Sequence, residues 1–169
     1  MRSITIIILL FTLFSCTKKQ YDSYFFSFYI NNNKRDFPNH KAYNIKIDNL
    51  CKTIIYGGIL EDDQINLKER LYISIPNMSK GKYNNYDSIA VVYVDSALRI
   101  YYSPTFKINF NVDSLIFDLG NSNFCIDIKE INTKNGLLSG SFKGVVKNPT
   151  NLTDSINIEN GSFRINYEY

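Results

Sequence analysis

Along most of this chain the hydrophobic side chains recur every second residue, and that period admits strands and excludes amphipathic helices. The C-terminus is the clearest case. Phe163, Ile165, Tyr167 and Tyr169 share one face, and Arg164, Asn166 and Glu168 share the other. Ile156 and Ile158 alternate with Ser155, Asn157 and Glu159, and Asn160-Gly161 between the two runs is turn chemistry that predicts a tight hairpin. The same alternation runs through Tyr43–Ile47, Leu71–Ile75 and Phe106–Val112. Ile89–Val94 is apolar on both faces and predicts a central, doubly covered strand. Tyr24–Ile30 is an aromatic strand followed by a turn at Asn31-Asn32-Asn33. Further strands are expected at 51–60, 98–102, 115–119, 124–131 and 137–147.

Turn signals separate them: Glu61-Asp62-Asp63, Ser79-Lys80-Gly81, Lys134-Asn135-Gly136 and Asn148-Pro149-Thr150-Asn151. No convincing helix appears; Ile65–Leu71 could form one turn at most. The expectation is an all-β domain, an antiparallel β-sandwich of roughly nine to eleven short strands, with a lipocalin-like closed barrel as the alternative.

The first fifteen residues follow another rule. Arg2 precedes an apolar run, Ile4–Phe14, broken only by Thr5 and Thr12. A span of the bilayer needs roughly 20 residues, so the run is too short to cross and fits the core of an export signal. It ends in Leu13-Phe14-Ser15-Cys16, which resembles the lipobox of bacterial lipoproteins, with Phe14 bulkier than the commonest residue there. The resemblance implies cleavage before Cys16, a diacylglycerol on its thiol and acylation of the new amine. A thiolate can attack a lipid donor where a serine hydroxyl is too weak. The expected organisation is a signal peptide at 1–15, lipidated Cys16 with a polar tether at 16–23, and one domain at 24–169. Thr17 is not the aspartate that retains such proteins at the inner membrane, and Lys18 and Lys19 are unlike an acidic surface-display patch. The expected address is the periplasmic side of the outer membrane.

The body also resembles exported lipoproteins of unknown function from the Bacteroidetes group. The resemblance is carried by Phe28-Tyr29-Ile30-Asn31-Asn32, Gly140-Ser141-Phe142-Lys143-Gly144, Ile158-Glu159-Asn160-Gly161-Ser162-Phe163, and Ile75-Pro76-Asn77 through Gly81-Lys82-Tyr83. It implies a sandwich-like fold and brings no catalytic residues.

Charge points to no partner class. The formal net charge is +3, one less without Arg2, and no basic patch stands out, so nucleic-acid binding is not expected. Cys51 and Cys125 remain once Cys16 is lipidated, and an oxidising compartment permits a bridge between them. Such a bridge would contribute roughly 4 kcal/mol. The other reading is two unpaired, partly buried thiols.

Chemistry is sparse. His40, the one histidine, lies in Pro38-Asn39-His40-Lys41 and reads as an exposed loop residue. One His and two distant Cys cannot close a zinc site. Glu61-Asp62-Asp63 with Asn66 lacks the ligand spacing of a calcium loop and reads as a solvated turn. The five glutamates, Glu61, Glu69, Glu130, Glu159 and Glu168, fall mostly at turns or on polar faces. No cofactor is expected. Tyr72, Tyr83, Tyr86, Tyr93, Tyr101 and Tyr102 cluster in one third of the chain; they line sheet faces or bind sugar or protein.

Asp precedes Ser at Asp22, Asp87, Asp95, Asp113 and Asp154, more often than composition predicts. Ser88, Ser96, Ser114 and Ser155, each followed by an aliphatic residue, resemble acceptors of the O-glycosylation system of the same bacterial group. Ordinary turn chemistry accounts for the pattern equally. Three functional readings stay open: a non-catalytic, monomeric envelope protein binding a protein or glycan; a carrier of a small apolar ligand; and a hydrolase with a carboxylate pair assembled in space.

Overall fold

The computed structural model describes residues 23–47, 50–60, 67–84, 89–103, 106–109, 114–117 and 123–168. These residues form strands and their connections, with no helix among them. In chain order the strands are β1 (Phe25–Ile30), β2 (Asn33–Asp36), β3 (Asn39–Ile47), β4 (Leu50–Leu60), β5 (Leu67–Pro76), β6 (Gly81–Asn84) and β7 (Ala90–Val94). They continue with β8 (Ile100–Ser103), β9 (Phe106–Asn109), β10 (Ser114–Phe117), β11 (Phe124–Asn132), β12 (Leu137–Asn148) and β13 (Asn151–Glu168). The all-β expectation therefore holds, with β2 and β6 added and with Leu67–Leu71 a strand rather than a helical turn.

Eleven strands make one sheet in the order β2-β1-β13-β3-β4-β5-β7-β8-β12-β11-β6, and β9 pairs with β10 separately. The sheet is mixed rather than purely antiparallel, because β13 runs parallel to β3 through Tyr167↔Ala42 and Glu168↔Tyr43. The pairings also return on themselves. β12 and β13 pair along almost the whole of β12, while β8 reaches β12 only at Tyr102↔Lys147.

Three turns form as their residues dictate. Asn31 and Asn32 both adopt positive φ, 49° and 62°, the geometry of a two-residue type I′ hairpin between Ile30 and Asn33. Pro149-Thr150 closes β12 onto β13, with the Asn148 side chain accepting from the Thr150 amide and hydroxyl. Thr133–Gly136 joins β11 to β12. The Glu61-Asp62-Asp63 turn and Asn66 lie outside the described residues.

Asn160-Gly161 does not form the expected hairpin. β13 passes straight through it as one 18-residue strand. Between Phe142↔Gly161 and Gly144↔Ile158 the chain advances one more residue on β13 than on β12, and β1 sees the same shift between Ser27↔Ser162 and Tyr29↔Glu159. Asn160, at φ 49°, is the αL residue of this β-bulge. An extra residue flips the alternation, so Ile158 and then Phe163, Ile165 and Tyr167 are all buried despite their opposite parity.

The bulge sits beside the structure's main packing device. Gly140 faces Phe163 across β12–β13, and two residues along Phe142 faces Gly161. A Cβ on Gly161 would meet the Phe142 ring at 2.5 Å, and one on Gly140 would meet the Asp127 carbonyl oxygen at 2.4 Å and the Phe163 ring at 2.7 Å. Each ring lies over the glycine opposite it, as in aromatic rescue of a strand glycine. Gly144, at φ +148°, leaves no room for a side chain against Asn123 and Phe124.

From this pair the aromatic core extends. Phe26 of β1 lies 5.3 Å from Phe142, 6.1 Å from Phe163 and 5.9 Å from Phe37 between ring centres. Phe28 meets Phe37 edge-on at 5.0 Å and Tyr93 at 6.1 Å. Such contacts add about 0.5–1.5 kcal/mol each beyond burial. Phe142→Ala is therefore expected to cost about 3–5 kcal/mol in urea unfolding. A loss below about 1 kcal/mol would show that the ring is not central.

Candidate functional site

Strand alternation on β11 and β12 puts Phe124, Ile126, Ile128 and Phe142 in the core, and Cys125, Asp127, Ser141 and Lys143 on the outer face. Small residues at the centre of that face leave a groove. One depression of about 340 Å³ is lined by Lys82, Cys125, Asp127, Ser141, Lys143 and Asn160, with Gly161 and the edges of Ile126 and Phe142 beneath. A second, of about 410 Å³, shares Cys125, Lys143 and Asn160 and adds Asn123, Asn157 and Glu159. In it the Asn157 Nδ2 donates to Glu159 Oε1 at 2.6 Å. Asn160 of the bulge lines both depressions. The groove has a mostly apolar lining, with ammonium, amide, hydroxyl and carboxylate groups set among it. Its lining contains no histidine to serve as a base beside the Cys125 thiol or the Ser141 hydroxyl.

At one end of the sheet a second set of polar groups is tied up internally. Glu69 of β5 is buried; it accepts from the Tyr93 hydroxyl and faces Arg35 Nε at 3.2 Å. Burial first, and the Glu69 carboxylate second, push the Tyr93 phenol far above its ordinary range. Asp95, also buried, accepts from the amides of Ala97 and Arg99 at 2.9 Å, and Arg99 NH2 approaches it at 2.7 Å. Asp154 receives the Tyr101 hydroxyl at 3.2 Å and Asn148 Nδ2 at 3.3 Å. Each of these carboxylates is paired with cations or donors and stabilises a strand end. Glu69 was legible only as one of five scarce glutamates, and its burial makes it an exception to their placement mostly at turns or on polar faces.

The residues singled out by sequence do not converge. Cys16 and Ser88 lie outside the described residues. Of the two readings left open for Cys51 and Cys125, the structure has them as free thiols, Cys51 exposed and Cys125 half-buried. Cys51 on β4 pairs with Lys46, and Cys125 on β11 pairs with Lys143 and Asn84. Their strands, β4 and β11, are not sheet neighbours. Ser96 is exposed in the β7–β8 loop, Ser155 is exposed on β13, and Ser114 begins β10 opposite Asn109. Asp95 and Asp154, which precede two of these serines, are consumed by the turn and strand contacts above. That gives those two Asp-Ser pairs a structural reason.

The tyrosine cluster is mostly scaffold. Tyr93 and Tyr101 are buried and Tyr72 packs on Tyr56 at 5.1 Å. The Tyr83 hydroxyl is bonded to the backbone of Ser79. Tyr86 lies outside the described residues. No group of three or more His, Cys, Asp or Glu able to hold a metal occurs among the described residues. No family model, curated protein or solved structure matches the chain.

His40 is not the exposed loop residue expected. It lies on β3 opposite Gly57, half-buried, with Nδ1 inaccessible and without a hydrogen-bond partner. Burial lowers its pKa. The folded protein thus resists protonation that the unfolded chain accepts near pH 6.5, so stability holds above that pH and falls as pH drops below it. His40→Gln should flatten the fall in urea midpoint between roughly pH 7.5 and 5.5; an unchanged slope would assign it to other groups.

Proposed function

We propose that this chain is an exported envelope lipoprotein whose single β domain binds a protein or glycan partner without catalysing a reaction. Residues 1–15 serve as the signal, Cys16 carries the lipid, 16–23 form the tether, and 24–169 face the periplasm from the outer membrane as a monomer. The observation that carries the binding reading is the open groove across β6, β11, β12 and β13, whose mostly apolar lining also carries Lys82, Asp127, Lys143 and Glu159. The two buried carboxylates among the described residues, Glu69 and Asp95, are each held by structural partners, which supports a scaffold over an active site. The buried core is rich in aromatic rings, Phe26, Phe28, Phe37, Phe124, Phe142 and Phe163 among them, which favours a packed interior over a carrier of apolar ligands. We read the curled sheet as sandwich-like, because Phe26 and Phe37 pack against β4 at Gly57.

Two measurements test the halves separately. Cys16→Ser should move the protein from the membrane to the soluble fraction, and native protein should lack residues 1–15 and carry acyl mass. Retention of Met1 would end the anchor reading. Ser141→Arg, which fills the groove, should abolish retention on a glycan array or of an envelope partner. Its effect on stability should stay within about 0.5 kcal/mol; undiminished binding would move the site elsewhere.

A further inference from the structure

The first strand begins where the tether ends. Seven residues separate Cys16 from Tyr24, and at no more than ~3.6 Å per residue the ring is held within about 30 Å of the lipidated position. Tyr24 is 51% exposed and Phe25 41%. Nearly every other aromatic side chain placed near them by β1 and β13, including Phe26, Phe28, Phe163 and Tyr167, is buried. The core therefore leaves two adjacent rings in water at the point of attachment.

Phe25 lies opposite Arg164 and thus toward the C-terminal end of β13. Beyond it, the Gly136 carbonyl of the β11–β12 loop accepts the Tyr167 amide at 2.8 Å. That loop and the two rings share one end of the sheet. Arg164 at this end faces Glu130 at 3.6 Å. Tyrosine and phenylalanine rings favour the bilayer–water boundary.

We propose that Tyr24 and Phe25 rest in the interfacial layer of the bilayer that holds the Cys16 lipid, seating the domain on the membrane by its β1 end. The Asn31-Asn32 turn and the β7–β8 loop then face outward. The inference rests on the lipid-anchor reading above. Tethering makes the contact intramolecular, so rings that would bind a membrane weakly from solution are held there by effective concentration. Because the contact is aromatic rather than ionic, it is insensitive to salt.

The chain contains no tryptophan, so a single introduced indole reports cleanly. Tyr24→Trp is placed in the full lipidated protein, in phosphatidylcholine vesicles, with bromine carried on the lipid chains near the headgroups. The expected result is blue-shifted emission, strongly quenched at low and high salt alike. Leu98→Trp, on the β7–β8 loop at the other end, should emit as in water and escape quenching. An acylated protein whose Tyr24→Trp ring remains in water overturns the docking. Absence of acyl mass on Cys16 overturns the anchor reading instead. Burial of the same ring in a lipid-free dimer of Cys16→Ser overturns docking in favour of a second copy.

Discussion

The reciprocal Phe–Gly pairs across β12 and β13 are the constraint on which the rest of the structure depends. Each of the two rings lies over a glycine on the facing strand, Phe163 over Gly140 and Phe142 over Gly161, where a Cβ would collide with the ring. The rings then lie flat enough for Phe26 to pack on both, and Phe26 in turn brings Phe37 against β4. A sheet this long would otherwise expose its apolar face; the aromatic cluster is what curls it around a core.

The bulge at Asn160 belongs to the same device. It changes the phase of β13 without ending the strand, so one strand serves β12 along most of its length, β1 in its second half and β3 at its tip. Asn160 of the bulge also lines the outer groove. Core packing and the candidate binding face are therefore two sides of one strand pair. A change to the glycines or rings that hold the core would deform the groove as well.

Polar groups divide by task. Those at the end bearing Glu69, Asp95 and Asp154 neutralise one another and hold loops in place. Leu98 is held at φ 61° by the hydrogen bonds that Asp95 makes to its own loop. A leucine in that region costs on the order of 1–2 kcal/mol, offset by those contacts. The groove is the opposite case: its polar groups lie among a mostly apolar lining that is open to solvent.

Alternation by itself determined strand content, because the side-chain period of an extended chain is local. Phe124, Ile126 and Ile128 could be assigned to the core and Cys125 to the outer face from sequence alone, and so could the Asn31-Asn32 and Pro149-Thr150 turns, whose chemistry is contained in a few residues. Tertiary structure decided everything that depends on which strand lies beside which. Asn-Gly suits a hairpin and a bulge equally, and only pairing with β1 and β12 on both sides selected the bulge. His40 looked polar and solvent-bound, yet β4 drew it into the sheet. Glu69 became buried because Arg35 and Tyr93, distant in sequence, arrive beside it, and Cys51 and Cys125 stay apart because their strands are not neighbours. The groove was invisible for the same reason: its lining comes from four strands, and no short stretch of the chain contains it.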